Sequence, residues 1–342
     1  MNTSKMPGAV YAQTNETGKN RVVAFSRADD GTLSELGPYA TGGAGDGVAH
    51  LTSQGSVALT SDRRHLLVTN AGSGDISVFD VSSGTPSLVQ TVATGQAPKS
   101  IAEHAGIVYV LNTGGPTIAG FRIADGRLEP LADATRSLAD GSDPAQVGFT
   151  PDGSTLVVTE RGTNAIAVYP VDDTGRLGEP QVQPSSGPTP YGFAFTRGGT
   201  LVVTEAFGAE VGRAAASSYV VSSGSITPVS RSVGNGRSEI CWAVISNDDR
   251  YAFTTNFADG AVSRYAVGDD GTLTLEDAAA GIAVEGQTGL RDEDLSSDGR
   301  FLYAIDADSQ RVFGWAVETD GSLSPIGSWN GLTPTVAGLA AS

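Results

Sequence analysis

The chain has 342 residues and a formal net charge of −17, which disfavours nucleic acid and anionic membrane surfaces as partners because both would repel it. A single cysteine, Cys241, rules out an internal disulfide, and no apolar run reaches the ~18 residues of a membrane-spanning helix. Three dispersed histidines and one cysteine argue against a transition-metal centre, so no metal or cofactor is expected.

The leading MNTSKMPGAVY has no apolar stretch of the kind a secretion signal needs. As it stands the sequence reads as cytoplasmic; a trimmed signal would make it periplasmic or secreted. No window holds apolar residues at i, i+3, i+4 and i+7. Short β-branched runs bounded by Asp-Gly and Thr-Asn turns take their place, the pattern of antiparallel meanders.

In chain order, the first unit is Val10–Asn15 with Arg21–Leu36, the second Ser56–Asn70 with Asp75–Val81, and the third Lys99–Asn112 with Thr117–Leu131. The fourth is Asp143–Tyr169, and the fifth is Tyr191–Glu205, which carries an insertion, Ala206–Ala216, before Ser217–Val221. The sixth is Cys241–Asn256 with Ala261–Leu275, and the seventh Arg291–Asp306 with Arg311–Ile326. The ends of the second strands, Asn15, Asn70, Asn112, Glu160, Glu205, Asn256 and Asp306, are 55, 42, 48, 45, 51 and 50 residues apart. That spacing is one four-stranded blade plus its connection. The expected fold is therefore all-β, a seven-bladed β-propeller forming one domain over residues 8–342. The first unit lacks an innermost strand, and Thr333–Ser342 has the pattern of one, so the C-terminal strand is expected to complete the first blade.

The motif SxDGRxLYVxN…ISVFxVxxDGxL appears at Ser297–Tyr303 with Val312–Leu323, and again at Ser61–Asn70 with Ile76–Val81. It resembles that of the lactonase-type propellers, which include 6-phosphogluconolactonases of propeller fold and fungal carboxymuconate cyclases. The resemblance runs from about Gly8 to Ser342. It implies an active site with His and Arg at starts of innermost strands, and Glu and Arg at ends of second strands. Glu205 matches the family Glu. Pro144-Ala145 stands where the pattern has Pro-His, Pro190-Tyr191-Gly192 where it has Pro-Arg-His, and Phe257 where it has Arg.

In a propeller the innermost strands begin, and the second strands end, at one face around the central channel. One ring there reads Gly55, Lys99, Ala145, Tyr191, Cys241, Arg291 and Thr335; the other is the set of second-strand ends above. The Asn residues suit turn caps, whereas Glu160, Glu205 and Asp306 are candidate acid–base groups. His50, in the connection entering the second blade, is the histidine placed to join them. Arg161 and Arg291 suit a substrate carboxylate, Tyr191 and Trp242 suit apolar walls, and the insertion from Phe207 to Arg213 suits a lid. The seventh innermost strand, Arg291-Asp292-Glu293-Asp294-Leu295, carries charge where others place apolar or small residues. Glu293 is expected to be buried there and held by Arg291 or another cation, the choice between a structural ion pair, a hydrated channel residue and a catalytic acid staying open.

These readings describe a lactonase- or cycloisomerase-like enzyme acting on a small organic acid or lactone at the channel mouth by metal-independent acid–base chemistry. The rival reading is a non-catalytic propeller that binds a small ligand or a protein on the same face. Nothing in the sequence specifies an oligomeric state.

Overall fold

The computed structural model describes residues 8–49, 54–222 and 224–342. Among the described residues, twenty-eight strands form seven four-stranded antiparallel sheets, arranged as the blades of one propeller. The second strands explain the near-continuous apolar runs in the sequence. Thr155–Glu160 and Phe301–Asp306 are buried at every position, because each lies within a blade sandwiched between two others. The outermost strands face solvent on one side and alternate, as in Ser225–Gly234.

The apolar core is divided among the blade junctions. Val10, Phe25, Tyr303 and Val312 pack between the first and last blades, and comparable clusters fill the other six interfaces. The strand Ala337–Ala341 pairs antiparallel with Gly8–Gln13 as the innermost strand of the first blade, as its sequence pattern indicated. Ser342 N–H also donates to the Ala9 carbonyl at 2.9 Å.

The repeat motif is built from turn caps. In the turn from first to second strand, Asp152 accepts from Thr150 Oγ1 (2.7 Å) and from Ser154 N–H (3.0 Å). Asp62, Asp248 and Asp298 hold the same turn in the second, sixth and seventh blades. These hydrogen bonds hold the Asp152 carboxyl below its ordinary value.

At the ring end of the innermost strands the register slips. In the seventh blade Leu290 is opposite Asp306 but Glu293 is opposite Ala304, so one extra residue bulges out. The fifth blade does the same between Pro190 and Phe193. These bulges present Arg291 and Asp292, and Tyr191 and Gly192, to the channel.

Candidate functional site

The second-strand ring does not converge on the channel. All seven of its side chains are buried and turned into the blade's own turn or a connection between neighbouring blades. Asn70 Nδ2 donates to Asp75 and Ser77, and Asn256 Nδ2 donates to the Ala261 carbonyl and Ser263. The three acids cap in the same way. Glu160 accepts from Thr163 Oγ1 at 2.6 Å, and Asp306 accepts from Ser309 N–H and Oγ, both at 2.7 Å. Glu205 Oε1 accepts from Gly187 N–H (2.8 Å) and Ser217 Oγ (2.6 Å), and Oε2 from Ser232 Oγ (2.7 Å). Burial raises the Glu205 pKa against the pull of those three donors. Glu205→Ala leaves a buried amide and two hydroxyls unpaired and is expected to cost about 1–3 kcal/mol in thermal unfolding, while Glu205→Gln keeps most of the network and melts near the parent.

His50 lies outside the described residues. Phe207, in a one-turn 3-10 segment with Gly208 and Ala209, is half-buried beneath Arg213, whose guanidinium lies 5.3 Å from its ring centroid. The insertion is anchored to Thr189 in its own blade and to Ser238 in the next, and Val211 at its tip is 89% exposed.

Part of the first ring does converge: Ala145, Tyr191, Cys241 and Arg291 come together, whereas Lys99 turns to Asp46 and Thr335 to the Thr14 carbonyl. Tyr191 and Trp242 pack edge to face at 5.5 Å, joined by Ala145, Ala206 and Cys241 in a buried cluster that Phe257 borders. Arg161 lies over the Tyr191 ring at 5.3 Å and donates through Nη2 to both oxygens of Asp143, 2.7 Å to each. Arg291 is 2% exposed, lies over the Phe257 ring at 5.5 Å, and donates through Nη1 to the Val336 carbonyl at 3.1 Å. The expected Arg291–Glu293 pair is not formed. On a regular strand residues two apart share a face, but the bulge sends these two side chains apart.

Below that cluster is a cavity of about 360 Å³, lined on one side by Asp292, Glu293, Asp294 and Leu295 and on the other by Val57–Ser61. Asp292 and Glu293 are 3% and 4% exposed. Among the described residues, both Glu293 carboxyl oxygens and Asp292 Oδ2 lack a well-formed hydrogen bond. Asp294 accepts from the Leu295 and Ala341 amides, both at 2.8 Å. Desolvation dominates all three. It pushes Asp292 up to about 7, against the Gly338 amide and Arg291, and Asp294 up to about 6. Glu293 rises well above its ordinary value by burial, against a pull from the Thr255 backbone and with help from the adjacent Asp294 and Asp292 charges. The phenol of Tyr191, also without a well-formed hydrogen bond, is raised chiefly by burial.

Asp292 is thus the group around which Arg291, Tyr191, Trp242 and Glu293 assemble, and it was not among the sequence candidates. Its signal is the charged innermost strand itself, in which Asp292 adjoins Glu293. The unfolded Glu293 carboxyl ionises near 4.5, whereas the folded one stays protonated far above that, so native stability falls as pH rises through the interval. Glu293→Leu should therefore raise the melting temperature more at pH 8 than at pH 5; an equal shift at both would show a solvated carboxylate.

The arrangement offers a cavity with an ionisable base near neutrality, a neutral carboxylic acid as proton donor, and aliphatic walls from Val57, Leu59, Val244 and Leu339. The family description "Lactonase, 7-bladed beta-propeller" matches residues 13–137, 56–206 and 203–335. No curated protein matches the sequence. Among solved structures, a provisional 6-phosphogluconolactonase of Bacteroides fragilis superposes with a TM-score of 0.77 at 19% identity, over 100% of this chain and 99% of its own. A Lactobacillus plantarum protein gives 0.78 at 20% identity, over 99% and 100%. The periplasmic gluconolactonase of Pseudomonas aeruginosa gives 0.76 at 18% identity, over 98% and 99%. At those identities the superpositions speak for the fold, while the sequence match spans nearly the whole chain, which belongs to the lactonase family of seven-bladed β-propellers.

Proposed function

We propose that the protein opens the ring of a small lactone by hydrolysis in the channel cavity, with Asp292 as general base and Glu293 as general acid. The observation that carries this reading is Asp292 Oδ2, buried, without a well-formed hydrogen bond and bordering the cavity on a carboxyl whose pKa is about 7. Family membership and a relative named as a gluconolactonase support the reaction class. An ionised Asp292 takes a proton from water as the water oxygen bonds to the lactone carbonyl carbon. Protonated Glu293 donates to the carbonyl oxygen as it gains charge. When the intermediate collapses, the acyl C–O bond of the ring breaks and the proton on Asp292 passes to the departing ring oxygen. The carbonyl re-forms as its proton returns to Glu293, leaving a hydroxy acid.

Glu205, Glu160 and Asp306 serve this scheme as the caps that fix the blades at the ring end. Arg291 and Trp242 border Asp292, and the charge of the one and the hydrogen bond of the other favour its ionised form only modestly against burial. The test is turnover of a panel of γ- and δ-lactones by the parent and by Asp292→Asn. Loss of activity in a folded variant supports the assignment; an Asp292→Asn protein as active as the parent removes it.

A further inference from the structure

One side chain crosses the channel beside the cavity. Gln54, which precedes the second blade's innermost strand, reaches across the channel to the sixth blade. Its Nε2 donates to the Ala243 carbonyl at 2.8 Å and its Oε1 accepts from the Ala243 amide at 3.1 Å, a contact between residues 189 apart. Both functional ends of the side-chain amide are used on one backbone residue, as a strand neighbour would use them. The Gln54 carbonyl is itself held by Ser100 Oγ at 2.5 Å, and that hydroxyl accepts from the Val147 amide at 3.2 Å. The span therefore ties the second, third, fourth and sixth blades together.

Gly192 makes the crossing possible. A side-chain carbon there would overlap Gln54 Oε1 and the Cys241 carbonyl. On the ring side of Gln54 stand Tyr191, Trp242, Cys241 and Arg291, all 3% exposed or less. On the other side the cavity runs to Ser61, which is exposed, and to the half-exposed Arg63. Ser61 is held at that rim by Glu103, whose Oε2 accepts from its amide and its hydroxyl, both at 2.6 Å. The positive charge of Arg63 reaches Asp294 inside the cavity and favours its ionised form.

We infer that Gln54 is a latch that seals the channel at the ring end, so that the Asp292 cavity takes its ligand through the opposite mouth, past Ser61 and Arg63. This deepens the proposed function and rests on it only for the identity of the ligand; the direction of access stands on geometry. Cys241, in the wall behind the latch, is the natural reporter.

The experiment compares thiol modification by a small methanethiosulfonate reagent in three folded proteins: the parent, Gln54→Ala, and Ala58→Cys in a Cys241→Ala background. The expected result is a slow parent Cys241, at least about tenfold faster modification of Cys241 in Gln54→Ala, and fast modification of the thiol that Ala58→Cys places at the far side of the latch. Attaching a bulky maleimide to Ser61→Cys in the same background should then slow reagents at the cavity and lower kcat/KM for any lactone turned over, whereas labelling Phe207→Cys at the ring end should not. A parent Cys241 that reacts as fast as the thiol introduced by Ala58→Cys, or a cavity blocked from the ring end and not from Ser61, overturns the latch. If no lactone is turned over, the thiol rates still decide access, and only the proposed chemistry falls.

Discussion

Removal of residues 334–342 is expected to abolish the cooperatively folded propeller. The segment supplies the innermost strand of the first blade, five residues all buried, paired with Val10–Gln13. It also contributes Val336, Leu339 and Ala341 to the cluster joining the last blade to the first. Burying one large aliphatic side chain contributes roughly 1.5–3 kcal/mol, and a whole domain is stable by only about 5–15 kcal/mol. Deletion exposes the edge of Gly8–Gln13 and one wall of the channel at once, and it takes the Val336 carbonyl from Arg291 and the Ala341 amide from Asp294. The truncated chain should appear as aggregate in size-exclusion chromatography, with the cooperative thermal transition lost or lowered far below that of the parent. A truncated protein that elutes and melts like the parent would show that ring closure adds no stability.

Asp292→Asn is expected to lower kcat for lactone hydrolysis by about 10²–10⁴-fold, the usual contribution of a positioned proton-transfer group. The fold should survive, because the substitution removes a buried acid whose ionisation is disfavoured by desolvation. A pH profile separates a base from a merely structural carboxyl. Activity should rise with pH as Asp292 ionises through about 7, and fall again at higher pH as Glu293 loses its proton. Stability runs the opposite way on the lower limb. The unfolded Asp292 carboxyl ionises near 3.8 and the folded one near 7, so the native state loses stability as pH rises between them. The parent should melt higher at pH 5 than at pH 8, and Asp292→Asn should narrow that gap. A pH-independent kcat, or a gap unchanged in the variant, would assign Asp292 no such role.

The number and order of the blades were legible in the sequence because their signal is local. A second strand buried on both faces needs a near-continuous run of apolar and β-branched residues, and the tight turn before it needs Asp and Gly at fixed places; Leu156–Thr159 and Pro151–Gly153 carry that information without reference to distant residues. Closure by Ala337–Ala341 was equally legible, since the strand missing from one end of the pattern is present at the other. Side-chain direction at the ring end was not. Glu205 ends its strand where the pattern places it, but three donors from Gly187, Ser217 and Ser232 turn its carboxylate into the blade. A one-residue bulge parts Arg291 from Glu293, which an unbroken two-residue period would have kept together. The desolvation that raises Asp292 comes from the packing of other blades around it, Trp242 and Gly338 among its neighbours, and the Gln54 latch joins residues 189 apart. Composition and period determine which strands form, because those depend on neighbours in the chain; which carboxyl is stripped of water, and which end of the channel is open, depend on how all seven blades meet.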